Sequence, residues 1–246
     1  MLTDDVQRVL AEIFGEIGGI PDLQTKHPVM HAGFDDAVAL AELLCRDVAE
    51  EELQQLLTSR PAILLGAFGY AQNSDIALLT KPPIGTQFKA DYAVLTLDQG
   101  GCTINLIELE RATARLFTAA DTPARALQSA LGQVRDWDEW IKRNEQTFVR
   151  DVIDHCKTLP QFPQRAANGS FLLTEGDSLE QAWRAFGGFS HPRIRFTVVL
   201  GRWSQLSEAH KNRLVYMNRH DSSIQQIYTY DQLVRRSHSR PAITYY

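Results

Sequence analysis

Residues 91–111 read DYAVLTLDQGGCTINLIELER, two apolar runs joined by a turn and closed by two acids. The runs are rich in Val, Ile, Leu and Thr, and Asp98-Gln99-Gly100-Gly101 supplies turn chemistry, so the stretch is predicted to be a β-hairpin. Side chains alternate across a strand, which puts Glu108 and Glu110 on one face with Ile104 and Leu106. Carboxylates that end an apolar face are costly unless something neutralises them. A divalent cation does so, and oxygen ligands suit Mg²⁺ or Mn²⁺. The hairpin brings Asp91 onto the neighbouring strand, within reach of the same ion. Asp91 and Glu108 are then the primary ligands, with Glu110 as a third ligand that orients or deprotonates water, an arrangement suited to phosphodiester hydrolysis. Spacing alone also fits a solvated strand end whose acids pair with Arg111.

The flanks alternate between helix and strand signals. Val6, Val9, Leu10, Ile13 and Phe14 recur at helical spacing, predicting a helix over about 4–17 that Gly18-Gly19 stops before a loop with Pro21 and Pro28. Residues 35–59 form one helix, or two broken near Arg46 to Ala49, ending before Pro61. Ile76–Leu79 is a short strand. A long amphipathic helix follows the hairpin, with Thr122 as its N-cap, Pro123 in first position and a stripe from Leu127 to Ile141; a further helix spans 145–156. Beyond it come a strand at 171–173, a helix at 178–186, a strand at 195–200, a helix capped by Ser207, a strand at 224–228 and a brief helix near Tyr230. This alternation predicts an α/β fold, a mixed central sheet flanked by helices. Residues 1–48 are expected to be a helical N-terminal segment, and 49–246 the functional domain.

Composition narrows the class. The chain has 44% hydrophobic and 22% charged residues, as an ordinary globular protein does, and three scattered cysteines without a CxxC pair argue against a disulfide framework or a zinc site. No apolar run is long enough for a membrane span. The opening MLTDDVQRVLAEIF is acidic and charge-interrupted, unlike a signal peptide, so a cytoplasmic protein is expected. Net charge is −5, yet from residue 191 onward nine Lys/Arg face three Asp/Glu, a basic third able to lie along a polyanion. No phosphate loop of the Walker type and no serine-nucleophile elbow occur, and His27 and His31 lack partner ligands.

The order Asp91, hairpin, Glu108-x-Glu110, then a helix carrying ALGQVRDWDEWI, resembles the Shedu anti-phage proteins of the PD-(D/E)XK nuclease superfamily. EEELQQLLTSRPAILLG (50–66) looks like that family's segment ahead of the core. VVLGRWSQLSEAHKNRLVYMNR and IYTYDQLVRR look like its closing strand, helix, strand and helix. Together the likeness covers about residues 50–236. It implies a restriction-endonuclease-like core that cleaves DNA with Mg²⁺ or Mn²⁺, assembled as a homo-oligomer, with Asp91, Glu108 and position 110 in the active site. The departure is at position 110, where the family usually has lysine, as in ELKRP, and this chain has Glu110 in ELERA. Lysine would donate to the scissile phosphate; glutamate, as in some E-x-E restriction enzymes, would act as ligand or base. The change leaves two readings open, an active site of that kind or an inactive, retuned DNA-binding sensor. A third reading is a scaffold whose acids merely pair with cations.

Further candidates come in part from that resemblance, for Gln133 and Glu52, and otherwise from the residues themselves. Gln133 would approach the catalytic centre from the long helix, or else be a boundary residue bonded to backbone. Trp137 and Trp140 are read as packing residues. Glu52 is the chosen extra acid from the preceding helix, with Glu50 and Glu51 in competition. For phosphate contacts the candidates are Arg202, after the Gly201 step, and Arg111 beside the acids. Arg193, Arg195, Lys211, Arg213, Arg235 and Arg236 complete that set, and nothing in these residues separates DNA from RNA.

Overall fold

The computed structural model describes residues 2–14, 29, 32–68, 75–98, 101–173, 192–220 and 225–238. The Gly18-Gly19 stop, the Pro21/Pro28 loop, His27 and His31, the turn residues Gln99-Gly100 and the expected helix at 178–186 lie outside them.

Four helices open the chain: α1 (Asp4–Phe14), α2 (Phe34–Leu44), α3 (Glu50–Ser59) and α4 (Ala62–Phe68). The expected break near Arg46 to Ala49 separates α2 from α3. Helix α4, AILLGAF, was not anticipated because it is apolar all round, so it carries no 3.6-residue period to read. Strand β1 (Asp75–Thr80) leads through a two-stranded excursion, β2 (Pro83–Ile84) and β3 (Phe88–Lys89), into the expected hairpin of β4 (Tyr92–Asp98) and β5 (Gly101–Leu109). Helix α5 (Arg125–Lys157) follows, then β6 (Phe171–Leu173), β7 (Arg193–Val199), a 3₁₀ turn at Trp203–Gln205, α6 (Glu208–His220), β8 (Gln225–Tyr228) and α7 (Tyr230–Ser237).

Two helix boundaries differ from expectation. Thr122 does not cap α5; its carbonyl accepts from the Thr118 N–H, Pro123 bridges to Phe117, and the Ala124 N–H reaches Leu116 O. The chain is therefore extended through Ala124, and the helix begins at Arg125. The two helices expected on either side of residue 144 are one, kinked where Asn144 adopts φ −130°, ψ 26°.

The main sheet has the order β6-β1-β4-β5-β7-β8. Its first four strands pair antiparallel, whereas β5-β7 and β7-β8 are parallel, so the sheet is mixed. Helices cover both faces. On one, Leu78, Tyr92, Ile107, Leu109 and Val199 pack with α1 to α4 and α7. On the other, Ala93, Leu95, Ile104, Leu106 and Val198 pack beneath α5 and α6. The period-2 alternation of β5 thus feeds two separate cores, and Glu108 follows Ile104 and Leu106 onto the α5 face. Among the described residues, no helix is long and apolar enough to cross a membrane.

Candidate active site

The acids meet where β5 ends and β4 begins. Tyr92 pairs with Ile107, so one step outward Asp91 stands opposite Glu108. There the Asp91 N–H donates to Ile107 O at 3.0 Å, and its Oδ2 accepts from the Leu109 N–H at 2.7 Å. Its other oxygen accepts from Gln54 Nε2 at 2.9 Å and pairs with the Lys81 ammonium. Gln54 also donates to Glu50 Oε1 at 2.8 Å, bringing a further acid from α3 to the group. Tyr92 holds α3 in place, its hydroxyl donating to Gln54 O at 2.6 Å and lying 2.8 Å from the Thr58 hydroxyl.

Glu110 is fixed through its backbone, its N–H donating to Val199 O at 2.9 Å and its carbonyl accepting from the Tyr230 hydroxyl at 2.8 Å. Its half-buried side chain stands beyond the strand end, beside the exposed Arg111.

Glu108 has fewer side-chain partners than Asp91. It is 8% exposed, and its carboxyl has no hydrogen-bond donor among the described residues, although its oxygens are not fully cut off from solvent. Burial, reinforced by Asp91, Glu50 and Glu110, pushes its carboxyl up to about 9. Burial and the charges of Asp91 and Glu110 likewise push Glu50 up to about 7, with Lys81 opposing. Glu110 is raised by burial and by Asp91, with Arg111 opposing. Burial pushes the Tyr92 hydroxyl to about 12. Burial and neighbouring carboxylates therefore disfavour the ionisation of Glu50, Glu108 and Glu110. Their donor set is all oxygen, which suits a hard divalent cation. As the side chains stand, no three acidic, His or Cys groups among the described residues converge closely enough to hold one. The positive charge against Asp91 is that of Lys81.

The structure redistributes the other candidates. Glu52 is exposed and folds back to accept from the Ala49 N–H at 3.4 Å, capping its own helix. Glu50 is the α3 acid at the site, and the sequence carried the signal: Glu50, Leu53, Gln54 and Leu57 occupy one helical face, 200° of helix from Glu50 placing Glu52 elsewhere. Gln133 is half-buried on α5 and takes no part in the hydrogen bonds made by Asp91 or Glu50. Trp137 is fully buried and the Trp140 ring packs on Gly85, so both are packing residues.

Arg202 is not a phosphate contact. It is 5% exposed, donates through Nε to both Asp231 oxygens at 3.0 Å, and reaches Leu44 O and Glu12 Oε2. The Gly201 turn before it, at φ +63°, is as tight as expected, since a Cβ there would meet Ala114 O at 2.6 Å. Lys211 pairs with Glu208 at 2.7 Å and lies over Trp203, and Arg213 lies over Phe117. Arg236 donates to Ala67 O at 3.3 Å and covers Tyr228; Arg235 is exposed beside it. Arg193 and Arg195 are exposed at the start of β7, opposite Thr103 and Asn105, at the other end of the strands from the acids. Lys81, Gln54 and Tyr92 are the site residues that the sequence reading missed.

Residues 47–234 match the family model described as Shedu protein SduA, C-terminal. No curated protein matches the chain.

Proposed function

The chain belongs to the Shedu SduA C-terminal family, which suggests anti-phage defence, and from that premise we propose that it is a divalent-metal-dependent endonuclease acting on DNA. The observation that carries the reading is Glu108, a buried carboxyl with no hydrogen-bond donor among the described residues, facing Asp91 and flanked by Glu50 and Glu110. Burial and the neighbouring acids keep Glu108 protonated near neutral pH without metal, and a cation shared with Asp91 would favour its ionised, ligating form.

Asp91 and Glu108 would hold Mg²⁺ or Mn²⁺, with Glu50 or Glu110 as a further oxygen ligand. The ion, when bound, supplies Lewis acidity toward a phosphodiester oxygen and lowers the pKa of water. The Leu109 N–H fixes one oxygen of Asp91 and leaves the other directed at Gln54 and Lys81, so the ligand oxygen is pre-oriented. Glu110 sits at the open end of the strand with a raised pKa, which improves it as acceptor of the attacking water's proton near neutral pH. On this reading the glutamate at position 110 acts as base, within a PD-(D/E)XK-like core. Exposed Arg111 lies beside it, where a phosphate would be attracted.

The test is cleavage of supercoiled and linear DNA by the purified chain with Mn²⁺, against Glu108→Gln and Asp91→Asn. Loss of cutting in both variants, with folds intact, is the expected result. Cutting by either variant at the parental rate overturns the assignment. A second reading, a DNA-binding sensor without hydrolysis, is favoured by the Lys81 ammonium standing at Asp91. DNA binding that survives both substitutions, with no metal-dependent cutting by the parent, is its signature.

A further inference from the structure

The loop that leads from α5 to β6 is drawn against the last turn of α3 and the end of β1. Asn168 donates to Thr80 O at 3.2 Å, and the Thr80 N–H donates to Ser170 Oγ at 2.9 Å. Arg165 donates through one nitrogen to Thr58 O at 3.1 Å and Ser59 O at 3.3 Å. These carbonyls are among the last of α3, where the helix favours a cation. The same guanidinium lies over the Phe162 and Phe171 rings, at 6.0 and 5.6 Å from their centroids. Carbonyls and rings therefore fix its orientation, and no carboxylate among the described residues pairs with it.

Arg165 and Arg60 both line a cleft of about 540 Å³, bounded by α2, the α3–α4 junction and β6. Pro61, Ala62, Phe162 and Leu173 give it apolar walls. The acid among its described lining residues is Asp36, and both its oxygens are engaged, one with Arg60 at 2.8 Å and the other with the Gly33 N–H at 2.8 Å. Two guanidiniums against one carboxylate leave one positive charge in the cleft. A concave, mainly apolar space of this size with a few placed polar groups is what a small-molecule site consists of. The guanidinium fork is matched by a planar oxyanion. A single surplus charge fits a carboxylate, which carries one, better than a phosphate monoester, which carries nearly two. The walls then take the rest of such a molecule out of water.

We propose that this cleft binds a small organic acid, with its carboxylate at Arg165 and Arg60 and its apolar body against Phe162, Pro61 and Leu173. The site is separate from the acids around Asp91. Helix α3 presents Glu50 and Gln54 to that group near its start and reaches the cleft with Ser59, about 14 Å along the helix from Glu50. It needs no metal, and it stands whether or not the chain cleaves DNA.

The experiment is calorimetric titration of the full chain with octanoate and 2-naphthoate, acids with a flexible and a planar body. At least one should bind with a Kd of about 1 mM or tighter. Acetate, the head alone, and octylammonium, an apolar body with the opposite charge, should bind at least about tenfold more weakly. Arg165→Gln should weaken the acid by about tenfold or more, the scale of one charge-assisted hydrogen bond. Ser59→Trp, at an exposed position of the cleft wall, keeps both guanidiniums and should block the acid to a similar extent. Melts of each variant without ligand show that the fold is intact, and if Arg165→Gln melts early, Ser59→Trp decides. The proposal is overturned if neither acid binds, if octylammonium or acetate binds as tightly as the acids, or if a folded variant keeps the parental affinity.

Discussion

Asp91 and Glu108 stand opposite each other one step beyond the last paired residues of the β4–β5 ladder, Tyr92 and Ile107. Asp91 is held by the Leu109 N–H, the Gln54 amide and Lys81, whereas the Glu108 carboxyl has no hydrogen-bond donor among the described residues. The two carboxyls thus share a location but differ in how their charge is met, and the first two predictions come from that difference.

Glu108 has a folded-state pKa raised from 4.5 to about 9. The native protein holds this proton at pH values where the unfolded chain has lost it, so metal-free stability falls as pH rises from about 4.5 to about 9. Glu108→Gln is neutral throughout and should lose much of that fall. At pH 8 without metal it should be more stable than the parent by about 2 kcal/mol, roughly 4–8 °C in Tm. Thermal melts of both proteins from pH 5 to 9 check this, and parallel curves would refute it.

Divalent ions should reverse the ranking. Mn²⁺ in hundredfold excess over its Kd should stabilise the parent by about 2.7 kcal/mol, and should leave Glu108→Gln and Asp91→Asn almost unchanged. Glu50→Gln should weaken Mn²⁺ binding by about tenfold, while Glu52→Gln should leave it alone, because Glu52 faces water and caps α3. Thermal shift against Mn²⁺ concentration compares all four. Equal sensitivity of positions 50 and 52 would remove Glu50 from the site.

Arg202 and Arg111 should part company in the same DNA-binding assay. Arg202→Met leaves Asp231 buried without its partner and should cost about 3 kcal/mol of stability, with no change in salt slope below its melting range. Arg111→Gln should leave the melt alone, weaken DNA binding across sequences and lower the salt slope by about one. A slope change confined to Arg202→Met would contradict the burial of that side chain.

Cutting the chain at residue 48 should cost the remainder its cooperative melt. Val6, Leu10, Leu40 and Leu44 share one core with Ile63, Leu78 and Leu233, and Glu12 completes the pairing of Arg202. Expression of 49–246 alone, followed by differential scanning calorimetry, measures it. A sharp transition near the parental Tm would show that the first helices are dispensable.

Local periodicity was enough to read the β4–β5 hairpin, the face that Glu108 shares with Ile104 and Leu106, the mixed α/β alternation and the stripe of α5. Each follows from which side of a strand or helix a residue occupies, and a few neighbours settle that. Even the choice of Glu50 over Glu52 was present in the spacing of Leu53, Gln54 and Leu57. Tertiary structure alone decided the rest. Lys81 reaches Asp91 because β1 and β4 pair antiparallel, returning the chain to its starting point ten residues later. Gln54 lies 37 residues from Asp91, and Arg202 lies 190 from Glu12. A charge in a sequence states what a residue can pair with; only the packed chain states which partner arrives and whether water remains beside it. For that reason a basic residue after a glycine turn became a buried strut, and an unremarked lysine before two prolines became the cation of the site.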